Sequence, residues 1–255
     1  WEKFEEEIKS KNIKVVKNAE VININDADEV ITLEYLSDGD IKKVSCAHVL
    51  FSNPLLDFIN FYKDELPNDV IDAASKLEYR NHISVHITID KKLFDDNWIY
   101  IHSPELKMAR IADFTNFSKD MSIEGNYPLT LEYFCFEDDE IWNSDKNDII
   151  NFAILELKQI FKEEFQVVHT DITKNPKAYP VIRTGYEENL NILREWLSKK
   201  KNLTAIGRSG MFKYNNQDHA MATGLYAVRN LLGKGNFDPW EVNVDGEYHE
   251  EIRTA

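Results

Sequence analysis

The segment from Leu203 to Gly224 constrains the fold more than any other part of this chain. Leu203 to Ile206 reads as a short buried strand that stops at Gly207. A polar and aromatic loop follows, and a helix begins near Asp218 to Ala220 and runs to about Leu232. A strand, glycine, loop and helix in that order form one unit of an α/β sheet. Ligands of such sheets sit outside the carboxyl ends of the strands, where helix starts aim unpaired N–H groups outward. Gly207 and Gly210 would let backbone approach a ligand closely, and Arg208 could neutralise an anion through two parallel hydrogen bonds. Asp218 could cap the helix or accept a ligand hydroxyl. Taken alone, the same pattern also suits a crossover loop whose polar residues face water.

The rest of the chain supplies the context. Trp1, Phe4 and Ile8 mark an opening amphipathic helix, and the start on Trp1 leads us to expect a fragment of a longer protein. Val30–Leu36 and Ile41–Cys46 alternate around Asp38-Gly39-Asp40 and predict a β-hairpin. His48–Phe51 is a continuous apolar run ending at Ser52-Asn53-Pro54, as expected of a strand in a parallel sheet. Between residues 66 and 199 the character is α+β. Strands are expected at Ile83–Ile89, Trp98–His102, Ala109–Asp113, Leu129–Phe136 and Phe165–Asp171, with an amphipathic helix over Asp148–Phe165. Lys174–Gly185 reads as irregular, and Leu190–Lys199 as a helix. The predicted fold class is α/β with an α+β insert: residues 1–65 and 200–255 form one split domain, and 66–199 form an inserted domain with a mixed sheet and flanking helices.

Composition excludes several partners. Acidic residues outnumber basic ones 45 to 30, for a net charge of −15, which repels nucleic acid and anionic membrane surfaces. No apolar run approaches the roughly 20 residues that cross a bilayer. Two cysteines, Cys46 and Cys135, are too few for a disulfide framework and fit a reducing cytoplasm. His82 and His86 are four apart in an alternating strand, hence about 13 Å apart and too far for one metal. No metal site is expected. The acidic pairs Asp95-Asp96 and Glu137–Glu140 read as solvated turns, and Ser209 lacks the spacing of a nucleophile elbow.

The long pattern from Gly207 to Met221 closely resembles the C-terminal flavin-contacting motif of the FAD-dependent amine oxidase and protoporphyrinogen oxidase superfamily, on a branch near UDP-galactopyranose mutase. Ser52-Asn53-Pro54-Leu55, Leu131–Cys135 with Trp142, and Ala178-Tyr179-Pro180 resemble further landmarks of that superfamily. The resemblance implies that residues 1–65 and 200–255 belong to an FAD-binding domain and 66–199 to a substrate domain. It implies that Gly207 and Arg208 lie beside the pyrophosphate and ribityl chain, and Asp218, His219, Ala220 and Met221 beside the isoalloxazine. Val21 matches the position where a main-chain pair holds adenine. Tyr179, Arg183 and Tyr186 are the expected substrate-binding residues.

One departure accompanies the match. The Gly-x-Gly-x-x-Gly strand–turn–helix that holds the pyrophosphate in such proteins does not occur in this sequence. The chain by itself is therefore expected to bind FAD weakly or not at all, to be inactive alone, and to leave apolar surface that a second copy could cover. Three functions follow for the full-length flavoprotein: oxidation of an amine or similar small molecule by hydride transfer to flavin, mutase-like isomerisation of a nucleotide sugar, or non-catalytic binding. No catalytic residue is singled out.

Overall fold

A computed structural model describes residues 1–26 and 30–243. They fall into two compact units, the first made of those before residue 77 and those from residue 185 on, the second of 77–184. The unit boundaries thus lie at 76/77 and 184/185, and the helices Asn68–Ser75 and Tyr186–Ser198, which the expected insert 66–199 had included, belong to the first unit.

The first unit opens with helix α1 (Glu2–Ser10), followed by a meander of β1 (Ala19–Asn25), β2 (Ile31–Ser37) and β3 (Asp40–Cys46). Asp38 and Gly39 both take positive φ, 56° and 85°, as a two-residue hairpin turn requires, and Ser37 pairs with Asp40 across it. Strand β4 (Val49–Phe51) then leads into α2 (Leu55–Ile59) and α3 (Asn68–Ser75). After the second unit the chain returns as α6 (Tyr186–Ser198), β10 (Leu203–Ala205) and α7 (Gln217–Leu231). Strand β10 pairs parallel with β4, Leu203 opposite Val49 and Ala205 opposite Phe51. The core below this pair is aromatic: Phe51 stacks on Phe58 at 3.5 Å, and Tyr62 meets Trp196 edge-on at 5.2 Å.

The second unit is a five-stranded sheet ordered β6-β7-β8-β5-β9, from β5 (Tyr79–Ile89), β6 (Trp98–Tyr100), β7 (Arg110–Asp113), β8 (Tyr127–Cys135) and β9 (Val167–Pro180). Helices α4 (Glu140–Asn143) and α5 (Lys146–Ile160) complete it. The expected mixed sheet is corrected in one respect. Every pairing in this sheet is antiparallel, and the parallel pair stands apart in the first unit. Antiparallel neighbours need only short connections, whereas the parallel pair is separated by a long crossover. Alternation splits the sheet into two faces. Ile83, Val85, Ile87, Leu129, Leu131 and Ile172 pack against Ile149, Ala153 and Leu157 of α5. The other face carries Arg80, His82, Ser84 and His86 of β5, opposite Thr130, Glu132 and Phe134 of β8.

The stretch 174–185, expected to be irregular, is strand as far as Pro180. Two prolines and a positive φ of 52° at Lys177 weaken its intrinsic strand signal, yet β9 is a sheet edge, where a missing N–H is tolerated. The register slips between Arg80 and His82, and the buried Asn81 fills the slip by accepting the Lys177 N–H at 2.8 Å.

Candidate functional site

The loop between β10 and α7 is braced from within. Gly207 takes φ 77°, its N–H donates to Thr223 Oγ1 at 2.8 Å, and its carbonyl accepts Asn215 Nδ2 at 3.0 Å. Arg208 folds over the Tyr214 ring and donates from Nε to the Asn215 carbonyl at 2.6 Å. Met211 and Phe212 are fully buried, anchoring the loop in the core. Gly210 serves the fold rather than a ligand: an added Cβ would lie 2.6 Å from the Ile206 carbonyl oxygen and 2.8 Å from that of Phe51. The strand ends leave room only for hydrogen there.

Helix α7 is capped by Asn216, correcting the expectation for Asp218. Asn216 and His219 form a capping box, with His219 Nδ1 accepting the Asn216 N–H at 3.2 Å. Asp218 sits exposed in the first turn, where a negative charge complements the helix dipole. His219 and Ala220 are half-buried, and Met221 is exposed. The helix start is therefore open to solvent immediately after a rigid loop. Asn215 Oδ1 is buried with no hydrogen-bond partner, an acceptor left over within that loop.

Val21 lies on β1, where the register with β2 shifts between Val21 and Asn23. It lines a cavity of about 730 Å³ together with Glu20, Leu50, Ser52 and Asn53, at the carboxyl end of β4. That volume falls in the range of small-molecule and cofactor pockets.

In the second unit Tyr179 pairs across from Arg80, and Arg183 follows β9 in an ion pair with Glu78. Tyr186 opens α6 in the first unit, its ring 6.4 Å from Phe212. Sequence reasoning missed a polar network beside Tyr179. Arg110 grips Glu132 with Nε at 3.0 Å and Nη2 at 2.8 and 2.6 Å, and His82 Nε2 lies 3.3 Å from the same carboxylate. Burial pushes the Glu132 carboxyl up, but the hydrogen bonds from His82 and Arg110 outweigh it, so it ends below its ordinary value. The signal that could have found the network is the run of polar residues at every second position of β5. Among the described residues no group of three or more His, Cys, Asp or Glu could hold a metal ion. Cys135 is buried, and that burial raises its thiol to about 11.

The family described as flavin-containing amine oxidoreductases matches this chain over residues 3–232. The chain belongs to that family. No curated protein sequence matches it significantly. Among solved structures, reduced UDP-galactopyranose mutase is similar with a TM-score of 0.72 and 22% identity, covering 88% of this chain and 49% of that one. A candidate protoporphyrinogen oxidase from Exiguobacterium sp. 255-15 is similar with a TM-score of 0.63 and 12% identity, covering 80% of this chain and 46% of that one. An oxidoreductase from Methanosarcina mazei follows, with a TM-score of 0.51 and 13% identity, covering 80% of this chain and 47% of that one. At these identities the likeness is one of fold. This flavin-containing amine oxidoreductase chain spans about half the length of those proteins.

The residues present fit parts of a flavin dinucleotide. The Val21 cavity has the volume for one end, and the solvent-open start of α7, whose dipole favours negative charge, suits the other.

Proposed function

We propose that this chain supplies the flavin-facing loop and the substrate domain of an FAD-dependent oxidoreductase. The observation that carries the reading is the solvent-open start of α7 behind the braced loop from Gly207 to Asn215, in a chain of the amine oxidoreductase family. Flavin, when bound, accepts a hydride from a small substrate such as an amine. The chain's own residues would bind and orient it. The main chain at Val21 would hold the adenine end, and Gly207 and Arg208 the pyrophosphate and ribityl chain. Asp218, His219, Ala220 and Met221 would flank the ring, whose N1 and O2 charge the helix dipole favours. Tyr179, Arg183 and Tyr186 are proposed to contact substrate, Tyr179 from the polar face of the second unit's sheet.

The second reading is flavin-dependent isomerisation of a nucleotide sugar, favoured by the structural likeness to UDP-galactopyranose mutase. The third is a non-catalytic binding relative. A yellow full-length flavoprotein that an amine bleaches anaerobically would establish the first. Turnover of a nucleotide sugar only after dithionite reduction would establish the second, and a colourless protein the third.

Helix α7 and its C-cap also expose Met221, Leu225, Val228 and Leu232, one apolar row at helical spacing. It supports the proposal that further polypeptide of the flavoprotein covers this helix, and that in its absence two copies of the chain associate. Sedimentation of a compact monomer at high concentration would count against that association. Among the described residues no helix is long and apolar enough to cross a membrane. A cytoplasmic location remains part of the proposal.

A further inference from the structure

The polar face of the second unit's sheet holds a guanidinium whose contact among the described residues is an aromatic ring rather than an acid. Arg80, near the start of β5, is half-buried, and its guanidinium carbon lies 4.6 Å from the centroid of the Phe134 ring. That stacking is the guanidinium's interaction among the described residues; it has no carboxylate, carbonyl or hydroxyl partner there. Arg110 and Arg183 in the same unit are bound to Glu132 and Glu78. Glu132, two positions along β8 from Phe134, is fully committed: Arg110 takes both its oxygens, and His82 adds a further contact. A guanidinium carries five N–H donors in a flat fork, and partly buried donors are normally paired. Within this unit Arg80 thus differs from Arg110 and Arg183, which each hold a carboxylate, in keeping its fork of donors beside an aromatic ring instead.

The surroundings are aromatic. Tyr179 meets Phe134 edge-on at 5.3 Å, and the His82 ring lies 5.2 Å from Phe134 and 6.0 Å from Tyr179. Cross-strand register sets this arrangement, with His82 opposite Phe134 and Arg80 opposite Tyr179. A flat cation held on one ring, which itself meets two more rings, offers charge and π-surface side by side.

We infer that Arg80, Phe134, Tyr179 and His82 form a recognition site for a small ligand that carries an anionic group, carboxylate or phosphate, next to a planar ring. Arg80 takes the anion through its fork, and the aromatic corner takes the ring. The inference rests on the reading of this unit as the substrate domain and names the substrate class that domain accepts.

The test needs no flavin, so its failure is distinct from failure of the flavoprotein reading. The full chain is titrated by calorimetry with benzoate, with phenyl phosphate and with neutral benzyl alcohol. Saturable binding of at least one anion and none of the alcohol is expected, and the stronger of the two anions tells carboxylate from phosphate. Arg80→Gln should weaken that anion by at least about tenfold, Arg80→Lys by less, and Phe134→Leu should also weaken it. Thermal melts of each variant verify folding, and Arg80→Lys serves as the charge-retaining control if Arg80→Gln fails to fold. The inference is overturned if neither anion binds in the millimolar range, if the alcohol binds as well as the anions, or if folded Arg80→Gln or Arg80→Lys binds as the parent does.

Discussion

The hydroxyl of Thr223 accepts the N–H of Gly207 at 2.8 Å while donating to the Ala220 carbonyl at 2.7 Å, fastening the end of β10 to the second turn of α7. Thr223 is completely buried, so this one side chain fixes the distance between the glycine turn and the helix start.

Replacing that hydroxyl tests the fastening. Thr223→Val keeps the volume but strands a buried N–H, at a cost of about 1–3 kcal/mol. Thr223→Ser keeps the bond and should lose less. Urea denaturation should show the valine variant with the lower midpoint, and equal midpoints would refute the assignment.

Gly210 should tolerate no side chain. Its Cβ would press on two backbone oxygens, at 2.6 and 2.8 Å, neither of which can swing aside as a side chain would. Gly210→Ala is expected to destabilise the first unit by about 1–3 kcal/mol. A melting temperature unchanged from the parent would contradict the packing described.

Glu132 predicts an acid-labile contribution. Its folded-state pKa lies below the ordinary 4.5 because His82 and Arg110 together outweigh burial. The stabilisation is therefore complete above about pH 4.5 and is lost as pH falls through the folded value. Glu132→Gln should cost about 1.5–3 kcal/mol at neutral pH and less in acid. Stability–pH curves of parent and variant should converge on the acid side, and parallel curves would count against the network.

Glu156 of α5 is buried and accepts the N–H groups of Lys107 at 2.6 Å and Met108 at 3.1 Å. Glu156→Ala leaves the buried Met108 N–H and the part-buried Lys107 N–H without this partner and should cost about 1–3 kcal/mol. Glu156→Gln retains one acceptor and should cost less. Hydrogen exchange at Lys107 and Met108 would register the change directly, through faster exchange in the alanine variant.

The chain alone should bind FAD weakly or not at all, since its sequence has no Gly-x-Gly-x-x-Gly turn to hold the pyrophosphate. Adding FAD and removing the excess by gel filtration should leave a colourless protein. A stoichiometric yellow complex would show that the Val21 cavity and the α7 start suffice.

Much of this fold was legible residue by residue. The Asp38-Gly39 hairpin follows from two backbone positions that need positive φ, and α5 from an apolar period of 3.6. The strand, glycine and helix from Leu203 onward were legible because each depends on neighbours a few positions away. What the sequence could not reveal depends on partners far along the chain. β9 continues through Pro176 to Pro180 only because β5 offers it an edge, and Gly210 is required by the Phe51 carbonyl on another strand. Asn216 rather than Asp218 caps α7 because the braced loop sets where the helix begins. The corner at Arg80 joins His82, Phe134 and Tyr179 from three strands, and no spacing in the sequence brings them together. Local geometry writes its requirements into adjacent residues, whereas cross-strand register is chosen by the packing of the whole sheet, so those neighbours are decided only in the folded chain.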